Sequence, residues 1–320
     1  MAPRVAMLKR IVIGGIVMGA EEFRWIQSAQ SLEQSRVMRF LPEMRPILLN
    51  YFGLAPGMDV LEVGCGPDTM ASYLAEGIAP GKIIGLDLDS EFIQRATAKA
   101  QLRAISNVSF LMGDAYHLPF GDSRFDAVIS YTGIGVLTNP EVAVEEMFRV
   151  CRPGGTISIA EAVTGRLGIG FLGMDSVSDE ELFPGAERYH ELMEDIQASI
   201  NTSAIPGVGN KQWPSGAMFA LLGKLGVTKI RFNARGYGSA PDDERVSAAE
   251  RRQWRQNEHR SQRQWLEELQ NSCQTISMRK KYAEVIELTQ TRFNWLRSHA
   301  AYDWEAGVSI VVSGIKPLSL

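Results

Sequence analysis

The chain has 320 residues, of which 45% are hydrophobic and 22% are charged, the composition of an ordinary globular protein with one large domain or a core and an appended domain. Its net charge of −4 gives no electrostatic reason to expect a nucleic-acid partner. The three cysteines are odd in number and lack metal-ligand spacing, so they predict reduced thiols, a cytoplasmic protein and no metal site.

The first clear pattern is LKRIVIGGIVMGA, residues 8–20, in which two basic residues precede an apolar run. That run is shorter than the roughly 20 residues a membrane-spanning helix needs, and no convincing small-residue cleavage site follows it. We therefore expect an extra strand or helix, or residues upstream of a natural start near Met18, rather than an export signal. No other segment is apolar enough to cross a bilayer, so we expect no membrane partner.

Helical patterns precede the first core strand. In residues 33–52, apolar residues recur at helical spacing around Pro42 and Pro46, which predicts a helix, a turn and a second helix. We interpret residues 1–45 as an N-terminal helical lid that shuts water out of the site.

Strands and helices then alternate along the chain. Strands are predicted at residues 59–63 and in GKIIGLDLD, NVSFLMGDA, RFDAVISYT and GGTISIAEA. Helices are predicted in MASYLAEGI, in SEFIQRATAKAQLRA with Ser90 as its N-cap, and in NPEVAVEEMFRVC. This alternation predicts right-handed crossovers and a parallel sheet with helices on both faces.

The stretch VLEVGCGPDTM, residues 60–70, joins the first strand to its helix. Ligands of open parallel sheets bind beyond the carboxyl ends of the strands, and Gly64 and Gly66 allow close approach because they carry no Cβ. Asp87 ends the second strand about 20 positions later, a separation that suits hydrogen bonding to ribose hydroxyls. These residues predict a cofactor that contains a nucleoside.

Charge around this loop discriminates between nucleoside cofactors. A dinucleotide site has a third glycine where the helix N-terminus meets the pyrophosphate, but this chain has Asp68 in that region. A carboxylate there would repel pyrophosphate, whereas Glu62, Asp68 and Asp87 together favour a cationic ligand. S-adenosylmethionine, with its sulfonium and ammonium groups, fits this pattern better than the cofactor of a nicotinamide dehydrogenase.

On these residues the chain resembles the class I S-adenosylmethionine-dependent methyltransferases of small-molecule type. VLEVGCG, IIGLDLD and FLMGDAYHLPF are similar to the first three motifs, and FDAVISYT and RVCRPGGTISIAEA to the fourth and fifth strands with their turn. The likeness spans residues 56–162 and resumes at GVSIVVSGIKP, similar to the last, antiparallel strand. It implies an α/β fold with a doubly wound, seven-stranded, mainly parallel sheet of the Rossmann-like type.

The resemblance also implies which residues bind S-adenosylmethionine and its product S-adenosylhomocysteine. They are Glu62, Gly64, Cys65 and Gly66 around the methionine part, Asp87 at the ribose, Leu88, Asp114 and Ala115 at the adenine, and Ser130 and Tyr131 at the strand end that closes over the cofactor.

The chain departs from the family pattern at three points. Asp68 replaces the third glycine, and aspartate tolerates unusual backbone angles well enough for the loop to form. No histidine stands near Val136, where many small-molecule methyltransferases carry one, which puts in doubt a base at that position. SYTG stands where amine-modifying nucleic-acid enzymes carry an Asn-Pro-Pro-Tyr type motif, so we expect no nucleic-acid substrate.

The rest of the chain is expected to hold a small-molecule acceptor. We predict a cofactor-binding core at 46–240 with a substrate region at 163–215, a helical insertion at 241–302 and a final antiparallel strand at 303–320. The insertion would cap the site or, like the N-terminal helices, form a homo-oligomer contact. Its second helix carries a stripe that indicates packing rather than cofactor contact, formed by Tyr282, Val285 or Ile286, Thr289, Phe293 and Leu296.

A general base is commonly a histidine or a carboxylate. His190, in ERYHELMED, is the candidate catalytic residue because it lies in the substrate region, although a histidine on a helix surface would give the same pattern. His117 lies beside the third motif and is interpreted as a loop residue near the cofactor.

Two functions stay open at this point. The first is transfer of a methyl group from S-adenosylmethionine to an oxygen, nitrogen or carbon atom of a small molecule, in secondary metabolism. The second is a protein that keeps the fold and uses bound S-adenosylmethionine without methyl transfer, in a cyclisation or rearrangement, or serves as a binding module. Gly64, Gly66, Asp87 and Asp114 favour the first.

Overall fold

The computed structural model describes most of the sheet and helices. The described residues are 11–13, 16–18, 40–67, 70–135, 137, 139–163, 183–202, 215–239, 247–273, 275–298 and 305–318.

The N-terminal segment contains a short hairpin, in which Ile11–Ile13 pairs antiparallel with Ile16–Met18. The apolar run therefore forms strands, one of the two alternatives expected, and these described residues of the predicted helical lid are not helical. A single 3₁₀ turn at Pro42–Met44 leads into helix α1, Arg45–Phe52, the second helix predicted around the two prolines. The first of those helices falls on residues outside the described ranges.

Seven strands form the core sheet. They are β1 Asp59–Val63, β2 Lys82–Asp87, β3 Val108–Met112, β4 Phe125–Tyr131, β5 Cys151–Val163, β6 Thr228–Ser239 and β7 Glu305–Ile315. Their order is β3–β2–β1–β4–β5–β7–β6, and β7 runs antiparallel to both of its neighbours. This is the predicted seven-stranded, mainly parallel sheet with a final antiparallel strand.

Helices connect the strands. They are α2 Met70–Ile78, α3 Ser90–Leu102, α4 Pro140–Val150, α5 Ala186–Thr202, α6 Ser215–Lys224, α7 Ala248–Ser272 and α8 Ile276–Ser298. The bounds of α2 coincide with those of its predicted segment, and α3 and α4 each lie within the segment predicted for them.

The N-cap predicted for α3 is wrong by one position. Asp89, not Ser90, has the extended backbone of a cap, and its Oδ1 accepts hydrogen bonds from the amides of Glu91 (2.8 Å) and Phe92 (3.2 Å). The carboxylate reaches two otherwise unpaired N–H groups and also carries the negative charge that a helix N-terminus favours, so it caps better than the hydroxyl beside it.

The central strands of the sheet are buried on both faces, which explains their largely apolar sequences. Because side chains alternate along a strand, Val60 packs with α1 and α2 on one face while Leu61 packs with α4 and α6 on the other.

A third apolar cluster joins helices that are far apart in the sequence. Helix α5 packs with α7 and α8, and the predicted stripe on α8 is buried at Tyr282, Val285 and Thr289. Arg188 on α5 pairs with Glu284 on α8 at 2.8 and 3.0 Å. Part of the predicted substrate region therefore belongs to the same three-helix unit as the insertion. Within the described part of the chain, no helix combines the length and the apolar character that crossing a membrane requires.

Candidate functional site

The loop after β1 folds tightly over the end of β2. The carbonyl oxygen of Leu86 accepts hydrogen bonds from the amides of Gly64 (2.8 Å) and Cys65 (3.0 Å). Gly64 and Gly66 have φ values of +73° and +60°, a region that favours glycine. The Cys65 side chain is buried. The two glycines are therefore required by the backbone path itself, which leaves the loop amides at the carboxyl edge of the sheet.

Asp87 is tied to this loop from the neighbouring strand. Its Oδ2 accepts the Gly66 amide at 2.8 Å, and its Oδ1 accepts the Asp89 amide at 3.0 Å. The side chain is partly accessible, yet burial raises the pKa of its carboxyl group, against the opposing effect of backbone hydrogen bonds from Asp89, Gly66 and Leu88. Each carboxylate oxygen keeps a lone pair for another donor, so Asp87 can still accept hydrogen bonds from a ligand's hydroxyls.

Glu62 and Leu88 lie on either side of this junction. Glu62 stands on β1 between Gly85 of β2 and Ile129 of β4, and its carboxyl group is buried. Leu88 directly follows Asp87 and is 43% exposed, which is high for a leucine beside a buried strand. The edge thus combines negative charge with an open apolar surface, as a cationic nucleoside compound requires.

Asp114 follows β3 at the same edge of the sheet. Its Oδ1 accepts the Tyr116 amide at 2.9 Å, and its Oδ2 lies 3.4 Å from Nδ1 of His117. The Asp114 side chain is 38% exposed and that of His117 is 85% exposed. Ala115 packs partly against the core. The carboxyl group is oriented by its own turn and stays accessible to a ligand.

The predicted pair at the end of β4 divides between the two faces of the sheet. Ser130 is fully buried, and its Oγ has no hydrogen-bond partner among the described residues. Tyr131 turns to the face of α1 and α2, where its ring meets Phe40 edge-on at 5.2 Å and its Oη lies 3.3 Å from Oγ of Ser309. The structure therefore does not bring Ser130 and Tyr131 together.

Two loop residues and one acid were missed by sequence reasoning. A Cβ added to Gly133 would lie 3.1 Å from the Cα of Gly64, so the loops after β1 and β4 meet at two glycines. The amide of Gly135 donates to Oε1 of Glu161 on β5 at 2.8 Å. The motif SYTGIG contained both glycines, but nothing in the sequence indicated what they contact.

His190 is exposed on α5, with its ring 5.5 Å from that of Tyr189. The residues that α5 buries belong to the three-helix unit. Its catalytic role stays a prediction, as do the contacts of the implied cofactor residues. Asp68 and Val136, used above to weigh the alternatives, fall outside the described residues.

The residues at this edge fit an adenosyl sulfonium compound. A Cβ at Gly64 would fill the space where the two loops meet, and the carboxyl groups of Glu62, Asp87 and Asp114 stand at the ends of three neighbouring strands. Like charges so placed favour a cation and disfavour a pyrophosphate. The hydroxyl of Ser130, which has no hydrogen-bond partner in the described part of the chain, lies beside the same loop contact, 3.0 Å from a Cβ added to Gly133.

Known proteins are similar to the part of this chain that contains β1 to β5. Residues 61–159 match the family model described as a methyltransferase domain. The chain is 36% identical over 108 residues to the demethylmenaquinone methyltransferase of Lactococcus lactis, covering 33% of this chain and 42% of that protein. It is 40% identical over 106 residues to the fatty-acid O-methyltransferase of Mycolicibacterium smegmatis, covering 33% and 38%. The matched segment of the chain thus spans about two fifths of the length of these curated relatives.

One solved structure shows the fold over nearly the whole chain. Phosphoethanolamine N-methyltransferase 2 of Haemonchus contortus, in complex with S-adenosyl-L-methionine, superposes with a TM-score of 0.53 at 14% identity. The superposition covers 94% of this chain and 60% of that one. At this identity the similarity concerns the Rossmann-like architecture alone.

Proposed function

Because this chain carries a class I S-adenosylmethionine-dependent methyltransferase domain, we propose that it transfers a methyl group from S-adenosylmethionine to an oxygen, nitrogen or carbon atom of a small molecule. The observation that carries the proposal is the junction of Gly66 and Asp87, where the loop amide and the strand-end carboxylate meet at 2.8 Å. This hydrogen bond orients the Asp87 carboxylate, an acceptor for ligand hydroxyls, beside the glycine loop at the edge where open parallel sheets bind ligands.

In this proposal the chain binds the cofactor through three carboxyl groups. Asp87 accepts from the ribose hydroxyls, Asp114 accepts from the adenine amino group, and Leu88 packs on the adenine ring. Glu62 supplies negative charge near the amino acid part. S-adenosylmethionine, when bound, supplies a methyl group already activated by its sulfonium, so the protein's task is to align the acceptor and exclude water.

We propose that the acceptor binds over the ends of β4, β7 and β6. Tyr131 and Ser309 meet there through their hydroxyls, and Arg235 on β6 stands opposite Ser309 in the strand register. Arg235 is 5% exposed, and its positive charge acts on the nearby hydroxyl of Tyr73. A buried cation beside hydroxyl groups supports an acceptor with an acidic or phenolic oxygen.

The relatives indicate the size and polarity of such an acceptor. Their names specify a demethylmenaquinone and a fatty acid, both small molecules with a large apolar part. We therefore propose a small apolar acceptor with one polar end, of the kind found in secondary metabolism, and a cytoplasmic enzyme. An acceptor that is already ionised needs no base, which would leave His190 without a catalytic role.

Calorimetry with S-adenosylmethionine and S-adenosylhomocysteine tests the cofactor assignment, with Asp87→Ala as the variant expected to lose affinity. Mass spectrometry of candidate acceptors incubated with the protein then tests methyl transfer. A product heavier by one methyl group supports the proposal. Tight cofactor binding with no methylated product from any acceptor would favour a protein that uses the cofactor without transferring its methyl group.

A further inference from the structure

The segment that follows Asp114 is held to helix α4 by one arginine. Nε and Nη2 of Arg149 donate to the two carboxylate oxygens of Glu146, at 2.6 and 2.7 Å. Nη2 also donates to the carbonyl oxygen of Leu118 at 3.0 Å. Nη1 donates to the carbonyl oxygen of Phe120 and to Oδ1 of Asp122, each at 2.8 Å. All five N–H donors of the guanidinium are thereby engaged.

Glu146 completes the contact from the same helix. Its Oε2 accepts the amide of Leu118 at 2.8 Å, so the Glu146–Arg149 pair meets both backbone groups of that one residue. The Leu118 side chain is buried in the core, 4% exposed. Side chains of α4 thus satisfy both backbone groups of a loop residue, as neighbouring backbone does in a strand.

A second contact connects the other end of α4 to the same loop. The hydroxyl of Tyr116 accepts the amide of Asn139, which precedes the first residue of α4, at 3.1 Å. The amide of Tyr116 in turn donates to Oδ1 of Asp114 at 2.9 Å. The Asp114 carboxyl group is therefore connected to both ends of one rigid helix, through Tyr116 at one end and Leu118 at the other.

We propose that Glu146 and Arg149 are positioning residues that hold Asp114 and Ala115 in the geometry that recognises adenine. The inference rests on the proposed function, because it takes the ligand at Asp114 to be the adenine of the cofactor. Neither residue of the pair touches the ligand; both act through Leu118 and the turn before it. Loss of the pair should therefore lower selectivity for adenine as well as affinity.

The chemistry of the pair demands arginine at position 149. A planar guanidinium donates along three directions at once, whereas a lysine ammonium offers three donors from a single point. The paired hydrogen bond with Arg149 lowers the pKa of the Glu146 carboxyl group, so the pair stays charged to a lower pH than an isolated glutamate would. The pair is thus a fixed bidentate unit and not an exposed ion pair of variable geometry.

The test compares the affinities of two ligands that differ on one edge of the base. S-inosylhomocysteine carries a carbonyl oxygen in place of the amino group of S-adenosylhomocysteine, and an N–H at the neighbouring ring nitrogen. It therefore has no donor at the position from which Asp114 is proposed to accept, and it presents a donor instead of an acceptor to the Ala115 amide. Kd values for both are measured by calorimetry for the wild type, Arg149→Met, Arg149→Lys and the milder Glu146→Gln. Arg188→Met serves as the matched control. Arg188 also pairs with a glutamate three residues away, Glu191, and with a second acid, Glu284, but it lies on α5 and not on α4.

We expect Arg149→Met to weaken the binding of S-adenosylhomocysteine about tenfold, the worth of about one charged hydrogen bond, and to weaken the binding of S-inosylhomocysteine much less. The selectivity for adenine is the Kd for S-inosylhomocysteine divided by the Kd for S-adenosylhomocysteine. This ratio should fall in Arg149→Met and, to a smaller extent, in Glu146→Gln, and it should not change in Arg188→Met. A merely structural loss would scale both affinities together, because it lowers the folded fraction available to either ligand. An unchanged ratio in both pair variants overturns the proposal.

Amide hydrogen exchange separates this inference from the proposed function. If the wild type binds neither ligand, the cofactor assignment fails, but the effect of the Glu146–Arg149 pair on the loop can still be measured in the free protein. Exchange at Leu118 and Tyr116 should then be faster in Arg149→Met or Glu146→Gln than in the wild type, with exchange in β1 unchanged. Equal protection of these two amides in all variants would show that the pair does not hold the loop.

Discussion

Gly64 and Gly133 lie so close that a Cβ built on either would be 3.1 Å from the Cα of the other. The loops after β1 and β4 therefore meet backbone to backbone at the carboxyl edge of the sheet. Gly64 also has a positive φ, so it is constrained twice, whereas Gly133 is constrained by space alone. The contact joins the loop that meets Asp87 to the loop that Glu161 holds from β5.

Substitution of Gly133 by alanine should disturb this contact. The new Cβ would meet Ser130 Oγ at 3.0 Å and the Val63 carbonyl oxygen at 3.1 Å, so the loop must move. We expect the free energy of unfolding to fall by about 1–3 kcal/mol, as for other overpacked sites, and the Kd for S-adenosylhomocysteine to rise. Urea denaturation and calorimetry measure the two effects.

Gly223 provides the control for that substitution. It lies exposed on α6 with nothing within 4 Å of an added Cβ. Gly223→Ala should leave ligand affinity unchanged and raise helix stability by up to about 1 kcal/mol. If Gly133→Ala behaves in the same way, the two loops do not depend on this contact.

Asp87 should make cofactor affinity depend on pH. Burial raises the pKa of its carboxyl group above the ordinary 3.8, and only the ionised form presents acceptors at both oxygens. Affinity for S-adenosylhomocysteine should therefore fall as the pH is lowered through this raised pKa. Calorimetry between neutral and acidic pH should show the step in the wild type and a smaller one in Asp87→Asn.

The stability of the free protein should respond to Asp87 with the opposite sign. Its pKa is higher in the folded state than in the unfolded chain, so its contribution to stability is present below about 3.8 and is lost as the pH rises through the folded value. As the pH rises through this window, the free energy of unfolding of the wild type should fall relative to that of Asp87→Asn. A difference between the two that does not vary with pH would contradict the raised pKa.

Ser309 and Ser313 form a matched pair for the proposed acceptor site. Both are buried on β7, but Ser309 meets Tyr131 near the carboxyl edge, while Ser313 pairs with Arg231 farther down the sheet. Ser309→Ala should raise the KM for the acceptor several-fold with the cofactor Kd unchanged, since one hydroxyl contact is worth about 1 kcal/mol. Equal acceptor KM values for Ser309→Ala and Ser313→Ala would place the acceptor elsewhere.

Tyr73 should titrate at unusually high pH. Burial raises the pKa of its hydroxyl to about 12, against the lowering effect of Arg45 and Arg235. The protonated form donates to the Leu41 carbonyl oxygen at 2.6 Å, so its stabilisation is present below the unfolded pKa near 10 and is lost as the pH rises through about 12. In a titration followed by difference absorbance at alkaline pH, Tyr73→Phe should lack the change from one tyrosine that ionises near pH 12 in the wild type.

That same variant should lower the free energy of unfolding by about 1 kcal/mol at neutral pH, the worth of one neutral hydrogen bond. Tyr51 on α1 offers a comparison, because no hydrogen bond of its hydroxyl is seen among the described residues, and Tyr51→Phe should be close to neutral. Identical alkaline titrations in the wild type and Tyr73→Phe would mean that another tyrosine carries the raised pKa.

The residues alone predicted the parallel strands β1 to β5 and the carboxyl edge at which Gly66 and Asp87 meet, and the family resemblance added the final antiparallel strand. The residues alone could do so because apolar periodicity, turn glycines and strand-end acids are local features, and parallel strands bring their carboxyl ends to one edge whatever lies between them. The family resemblance added the roles of Asp114 and Leu88 in the same way, from short motifs.

The tertiary structure decided which distant residues meet. It packs α5 against the insertion, where Arg188 pairs with Glu284, and it brings Gly64 next to Gly133. It also brings Arg149 within hydrogen-bond distance of the loop after Asp114. No local pattern encodes such contacts, because they depend on the angles at which helices pack and on the positions of whole loops, which only the assembled core determines. The cap of α3 is a local exception: Asp89 and Ser90 are both good N-cap residue types, and only the structure shows that Asp89 has the extended backbone of the cap.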